Sequence, residues 1–248
     1  MAKLSEATPP QVSSMVDAAE KQFAEQRTFD GAAQAVTDSL YSSFGDSCKL
    51  TRIFVSTPYK SLPSGMGSWV RNLAQAKGVA SGLTPDTQVL ALAGSSGARP
   101  DWNGRARSKG HVGIPLISQE FINAIPMMAR LIGSLGRDLS WLDSEDTGQL
   151  IKAMSRLSGR FYVPDASKTT DSRGRKVISD QAFVTENKIT TVFGVASSSV
   201  MSSGALMALL VFSNETIPEK QVDLFQTVLT RLRSATTSLM GADKLFSG

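Results

Sequence analysis

The sequence contains very few of the side chains that enzymes use for chemistry. Among its 248 residues, Cys48 is the only cysteine and His111 is the only histidine. One cysteine excludes an internal disulfide framework and any zinc site built from several thiolates. No serine lies in a Gly-x-Ser-x-Gly turn, and no phosphate-binding loop ends in Lys-Ser/Thr. We therefore expect no enzymatic activity, and an enzyme that uses His111 is the third of three interpretations.

Long apolar runs and strong charge clusters are also scarce. The longest apolar run, residues 205–212, is far shorter than the roughly 20 residues that span a bilayer. The N-terminus lacks the apolar core of a secretory signal. The net charge is only +4, and no predicted helix carries a stripe of Lys and Arg. We therefore expect a cytoplasmic protein without a membrane segment, and a role in nucleic-acid binding is unsupported.

The first half of the sequence mixes helix and strand signals. Apolar residues at helical spacing predict a helix over residues 11–26 and a second helix that stops at Gly45 in a left-handed turn. Ser118 is expected to cap a later helix, which Pro126 should kink or restart. The predicted strands of this half cover residues 48–57, 87–94 and 112–117.

The second half contains the most apolar segment, "ITTVFGVASSSVMSSGALMALLVFS", residues 189–213. This segment has no ionisable side chain. It predicts two strands, 191–196 and 204–211, that form the centre of a sheet and are joined by a solvated Ser-rich turn. The other predicted elements of this half are a helix that ends at Gly159, a strand over 160–166 and a helix over 217–239.

This half of the sequence resembles the C-terminal half of a GAF domain. "FYVPDA", residues 161–166, ends near a Pro-Asp pair, like the GAF strand that opens a ligand-covering loop. The two apolar strands match the pair that follows in that family, and the match is strongest from Arg160 onward. The first half matches more loosely, and PAS and profilin-like sensor domains share the same arrangement of sheet and helices.

The resemblance implies an α+β fold of the GAF/PAS type, with one central antiparallel sheet of about six strands and flanking helices. It implies one domain over residues 1–248. In that domain residues 1–45 are an N-terminal helical extension, and residues 217–239 are a C-terminal helix.

Ligands of GAF domains lie between the sheet and the loops that cover it, and the resemblance maps such a pocket onto this chain. Phe161, Phe183 and Phe193 would supply apolar wall, and Asp165 would be a polar anchor, unless it only caps the loop after its strand. The matching wall begins at Trp102 and includes His111. The residues that we predict for the ligand pocket are therefore Trp102, His111, Phe161, Asp165, Phe183 and Phe193.

The cofactor, if one exists, is unknown from the sequence. His111 is either an axial haem ligand, as in some sensor domains, or a solvated loop histidine. Attachment of a bilin would require Cys48, which lies away from the matching family position. Two basic loops, residues 99–109 and 168–176, either close over an anionic ligand or a partner's acidic face, or are solvated loops.

Two non-catalytic interpretations follow. The first is a ligand-binding regulatory domain of GAF type that signals through a homodimer, formed by its terminal helices, or through a protein partner. The second is a structural or adaptor protein with the same fold and no ligand. A small-molecule ligand distinguishes the first from the second.

Overall fold

A six-stranded antiparallel sheet is the centre of the computed structural model. The structure describes residues 2–23, 25–108, 110–135, 139–144, 146–155, 157–198, 205–241 and 243–247. The sheet order is β3-β2-β1-β6-β5-β4. The strands are β1 (Cys48–Pro58), β2 (Gln88–Gly97), β3 (Gly113–Pro115), β4 (Ser158–Val163), β5 (Thr191–Ser198) and β6 (Leu206–Ser213). The predicted α+β class with one antiparallel sheet is confirmed.

The charge-free segment forms the β5–β6 hairpin, next to the long central strand β1. Thr191 pairs with Ser213, and Ser198 pairs with Leu206. Every described residue of β6 is buried. Except for Ser213 at its end, its side chains are apolar on both faces, as is typical of a strand of which neither face reaches water. The Ser-rich turn that we predicted to be solvated lies, from residue 199 to 204, outside the described residues.

Helices cover one face of the sheet, which we call the helix-covered face. They are α1 (Pro9–Phe23), α2 (Phe29–Phe44) and α8 (Gln226–Thr236), the last preceded by a 3-10 helix over Glu219–Phe225. Phe225 packs on this face against Phe44 and Phe193, with ring centroids 6.2 and 5.1 Å away. These side chains are at most 1% exposed, so the helix-covered face is a closed apolar core.

Close contact between α2 and the sheet depends on one glycine. A Cβ atom at Gly94 of β2 would lie 2.5 Å from the carbonyl oxygen of Ala33 in α2. A side chain at position 94 would therefore push the helix away from the strand.

Shorter helices and loops cover the opposite face, which we call the cavity face. They include α4 (Gln119–Asn123), α5 (Pro126–Gly133), α6 (Thr147–Met154) and α7 (Gln181–Glu186). In contrast, α3 (Ser64–Ala76) packs on Val89 and Ala91 of β2, which alternate with the cavity-lining Leu90 and point away from the cavity. Ser118 caps α4 by accepting a hydrogen bond from the amide of Phe121 at 3.1 Å. Pro126 occupies the first turn of α5, so the predicted restart of the helix is confirmed.

The predicted end of α2 at Gly45 is confirmed, but the left-handed turn predicted there is wrong, and so is the predicted helix end at Gly159. Gly45 has φ −60° and ψ −21°, a right-handed conformation, because the chain continues in a turn in which the Ser47 amide donates to the Phe44 carbonyl. Gly159 does not end a helix, since it lies in β4 opposite Ala196. The helix before it, α6, stops at Met154. A glycine is required at 159 because a Cβ atom there would collide with the backbone of Ser134.

Candidate ligand cavity

A cavity of about 330 Å³ lies on the cavity face, between the sheet and the segments that cover it. Its volume falls within the range of about 300–1,000 Å³ that is typical of small-molecule sites. The floor comes from β1, β2, β3 and β6, and the cover comes from the loops around residues 101–111, from α5 and from residues 178–183. Its lining residues are Leu50, Arg52, Phe54, Leu90, Asp101, Trp102, Gly110, His111, Ile114, Ile125, Met127, Met128, Ile178, Ser179, Asp180, Phe183, Leu210 and Phe212.

Strand alternation places one charged side chain on this apolar floor. Leu50, Arg52 and Phe54 are alternate residues of β1 and point to the same side of the sheet. The residues between and after them, such as Ile53 and Val55, belong to the core of the helix-covered face. Arg52 is therefore surrounded by apolar floor in the middle of the sheet.

The guanidinium of Arg52 is buried and only partly bonded. Arg52 is 8% exposed, and its Nη1 donates a hydrogen bond to the carbonyl oxygen of Gly110 at 2.8 Å. Its Nε is buried with no hydrogen-bond partner, and no carboxylate of the described residues lies within 4.0 Å of its nitrogens. Burial lowers the pKa of Arg52 to about 10, which still leaves it charged near neutral pH.

Three aromatic rings form one wall of the cavity. Phe183 lies between Trp102 and Phe212, with both ring centroids 5.6 Å away. The guanidinium carbon of Arg99 lies 5.5 Å from the centre of the Trp102 ring. Edge-to-face and tilted contacts of this kind hold the rings in place and leave apolar surface for a flat ligand.

His111 stands at the rim beside Arg52. Its φ of 54° is in the left-handed region, which is uncommon for a residue with a side chain. His111 is accessible to solvent, but it lines the concave surface of the cavity, so protein surrounds much of its side chain. Burial and the nearby charge of Arg52 lower the pKa of His111 below 6.5, and Asp180 opposes this shift. The imidazole is therefore mostly neutral at neutral pH.

The two acids on the lining have other partners. Asp180 caps α7 by accepting a hydrogen bond from the amide of Phe183 at 2.9 Å. Asp101 lies 3.5 Å from Nε of Arg99. Neither acid therefore neutralises Arg52 by direct contact.

The structure brings together three of the six side chains that we predicted for a pocket. Trp102, His111 and Phe183 line the cavity. Phe161 is fully buried in the core of the cavity face and does not line the cavity. Phe193 points to the helix-covered face, because it alternates in β5 with Val192, which faces the cavity side.

Asp165 also lies away from the cavity lining. Its carboxylate accepts hydrogen bonds from the hydroxyl and the amide of Ser167, at 2.6 and 2.9 Å. The Ser167 hydroxyl, followed by Lys168, lowers the pKa of Asp165 to about 2. These contacts hold the loop after β4, which is the alternative role that we gave this residue.

Arg52 was not among the residues predicted for the pocket, although the segment around it indicates that its position is unusual. "CKLTRIFVST" has the apolar character of a strand, and Arg52 shares the side of Leu50 and Phe54 in the alternating pattern. A charge among buried positions is the informative exception in such a pattern. Its two neighbouring strands, which bury it on both sides, could not be known from the segment alone.

The residues present do not fit a covalently attached bilin. Cys48, the thiol that attachment would require, belongs to the core of the helix-covered face and is completely buried. Burial raises the pKa of Cys48 to about 12, so its reactive thiolate is not populated near neutral pH. No group of three or more potential metal ligands occurs within the described ranges.

The basic loops engage in contacts within the protein. Arg105 pairs with Asp30 at 3.0 Å, and Arg175 pairs with Asp171 at 2.7 Å. Arg175 also donates to the carbonyl oxygen of Asn123 at 2.7 Å. These arginines therefore attach both loops to the rest of the protein.

No family model and no curated protein matches the sequence, whereas solved structures do. The phycoerythrobilin-bound GAF domain of a cyanobacterial phytochrome is 12% identical, with a TM-score of 0.46, over 94% of this chain and 97% of its own. A phycocyanobilin-bound GAF domain from a cyanobacterial phytochrome is 11% identical, with a TM-score of 0.47, over 92% of this chain and 94% of its own. Both of these proteins are GAF domains, the family that the second half of this sequence resembles.

Proposed function

We propose that this protein is a non-enzymatic regulatory domain that binds a small molecule in the cavity described above. The observation that carries the proposal is the cavity itself, an apolar and aromatic chamber with a few polar groups on its lining. This combination is what small-molecule sites need, because apolar walls supply affinity and polar groups fix orientation. A structural or adaptor protein would need no such chamber.

The arrangement of polar groups argues against catalysis in the cavity. His111, Ser179 and Asp180 all line it, but no hydrogen bond joins any two of them in the described part of the chain. Nucleophilic catalysis requires a nucleophile within hydrogen-bond reach of its base. Asp180 instead accepts its hydrogen bond from the backbone of α7.

The proposed output is a change in contacts with a second copy or with a protein partner in the cytoplasm. The apolar stripes of the terminal helices, on which we based the homodimer, are buried within one chain. Met15, Val16 and Leu232 are at most 3% exposed, and Asp17 of α1 forms an ion pair with Arg231 of α8 at 2.7 Å. A dimer would therefore use the outer, polar faces of these helices. Within the described ranges, no helix has the length and apolar character needed to cross a bilayer.

Native mass spectrometry of gently purified protein, together with an absorption spectrum, tests the binding function. We expect a bound small molecule in the wild-type protein and its loss in Met127→Trp, which narrows the cavity at a half-buried position of its cover. A Soret band would identify haem and would direct attention to His111. The function is overturned if the protein carries no ligand and also fails to bind both the neutral dye N-phenyl-1-naphthylamine and the anionic dye 8-anilino-1-naphthalenesulfonate.

A further inference from the structure

The unpartnered part of Arg52 is the feature of the cavity that its own fold leaves unexplained. In the described part of the chain Nε is buried without a hydrogen bond, and Arg52 as a whole is 8% exposed on an apolar floor. An incompletely bonded cation in such a place lowers stability, because burial removes its water without replacing it. The one hydrogen bond to the carbonyl oxygen of Gly110 replaces only part of that water.

We propose that the cavity binds a small organic anion whose charged group is held by Arg52 and whose apolar body lies against Trp102, Phe183 and Phe212. This inference rests on the proposed function and names the chemical class of its ligand. A guanidinium presents donors in a planar fork that matches the two oxygens of a carboxylate. The anionic group would supply the partner that Nε lacks.

Among the described residues no carboxylate is in direct contact with Arg52, although the charge of Asp101 acts on it through space. The two acids of the lining are engaged elsewhere, Asp101 with Arg99 at 3.5 Å and Asp180 with the amide of Phe183 at 2.9 Å. His111 is mostly neutral near neutral pH, since burial and Arg52 lower its pKa. Arg52 is therefore the positive charge of the cavity, and the ligand brings the negative one.

The other residues of the lining indicate the size, polarity and charge of the ligand body. The floor beside Arg52 consists of Leu50, Phe54 and Leu210, each at most 4% exposed. The volume of about 330 Å³ is at the small end of ligand sites, so the ligand body is compact. The carboxylates of Asp101 and Asp180 on the same lining disfavour a second negative charge on the ligand. The preferred ligand is thus a monoanion with an aromatic or otherwise apolar body.

Two fluorescent dyes that share one skeleton test the inference before the natural ligand is identified. 8-Anilino-1-naphthalenesulfonate carries an anionic group, and N-phenyl-1-naphthylamine lacks it. In titrations of the wild-type protein we expect the anionic dye to bind about tenfold more tightly, the size of one charge-assisted hydrogen bond. The comparison uses unaltered protein, so it does not depend on whether any variant folds.

Variants at position 52 then test whether Arg52 causes the preference for the anionic dye. In Arg52→Met the anionic dye should bind at least about tenfold more weakly while the neutral dye changes less than about twofold. Arg52→Lys keeps the charge without the planar fork and should retain part of the preference. Met127→Trp should weaken both dyes, which places them in the cavity and not on the surface.

The outcomes separate the two proposals. If the neutral dye binds and the anionic dye shows no preference, or if the preference survives in Arg52→Met, the organic-anion inference is wrong and the binding function stands. If neither dye binds, and the purified protein carries no ligand, both proposals fail.

Discussion

Phe193 and Phe183 are both phenylalanines that we assigned to a pocket wall from the sequence, and the structure places them in opposite environments. Phe193 is completely buried on the helix-covered face, 5.1 Å from the ring of Phe225. Phe183 is half-buried between Trp102 and Phe212, at the edge of the cavity. The same residue type therefore contributes to stability on one face and to a binding surface on the other.

Buried charges differ between the two faces in the same way. Asp30, at the start of α2, receives hydrogen bonds from Arg105 at 3.0 Å and from the Ser247 hydroxyl at 2.8 Å. Arg52, on the cavity face, has one hydrogen bond to a backbone carbonyl and an unpartnered Nε. A charge with a full set of partners supports the fold. For Arg52 we propose that a ligand in the cavity supplies the missing partner.

The largest expected effect distinguishes the two phenylalanines. Phe193→Ala should lower the free energy of unfolding by about 3–5 kcal/mol, because it leaves a void in a closed core. Phe183→Ala should cost only about 1 kcal/mol, since its side chain is already next to a cavity and partly exposed, but it should weaken binding of the neutral dye. Urea unfolding measures both. Equal costs would show that the two faces do not differ as described.

A glycine pair tests how tightly the helix-covered face is closed. Gly94→Ala should lower the free energy of unfolding by about 1–3 kcal/mol, because the new methyl group overlaps the backbone of α2. Gly65→Ala, in α3 and with nothing within 4 Å of the new atom, should raise it by about 0.5 kcal/mol. Thermal unfolding of the two variants beside the wild type checks this. A Gly94→Ala protein as stable as Gly65→Ala would contradict the close approach of helix and strand.

The ionised carboxylate of Asp30 has hydrogen-bond partners in the folded protein, so it should make the free energy of unfolding depend on pH. Burial alone would raise the pKa of Asp30, but hydrogen bonds from Thr28 and Ser247, together with Arg105, hold it below 3.8. A depressed folded-state pKa contributes stability that is present above about pH 4 and is lost as the pH falls through the folded value.

Asp30→Asn should therefore lower the free energy of unfolding by about 1 kcal/mol near pH 6 and by progressively less as the pH falls below 4. Urea titrations of both proteins at several pH values give this difference. A difference that stays constant down to pH 3 would mean that the charge of Asp30 does not contribute.

Local signals in the sequence were sufficient for much of the fold. The capping of α4 by Ser118 and the restart at Pro126 depend on neighbouring residues only, and both are confirmed. The end of α2 at Gly45 was also predicted correctly, but its left-handed conformation was not, because a glycine permits a left-handed turn without requiring one.

The site was harder to predict, because it depends on which face each strand residue occupies. In β5, Val192 and Phe193 are both apolar and both buried. The alternation of apolar and polar residues, which normally distinguishes the two faces of a strand, is therefore absent here. Trp102 and Phe183 lie far apart in sequence and meet only through the covering loops. Arg52 breaks the apolar pattern of β1, but its place on the cavity floor was not predicted, because it depends on the two strands beside β1.

The stability of Arg52→Met in the absence of ligand tests the central claim most directly, that Arg52 is present for a ligand and not for the fold. Methionine fills similar space without a charge, so the free energy of unfolding in urea should stay equal to that of the wild type or rise by about 1 kcal/mol. A decrease of about 2 kcal/mol or more would contradict the account. It would show that Arg52 holds the core of the cavity face together, as Phe193 does on the other side of the sheet.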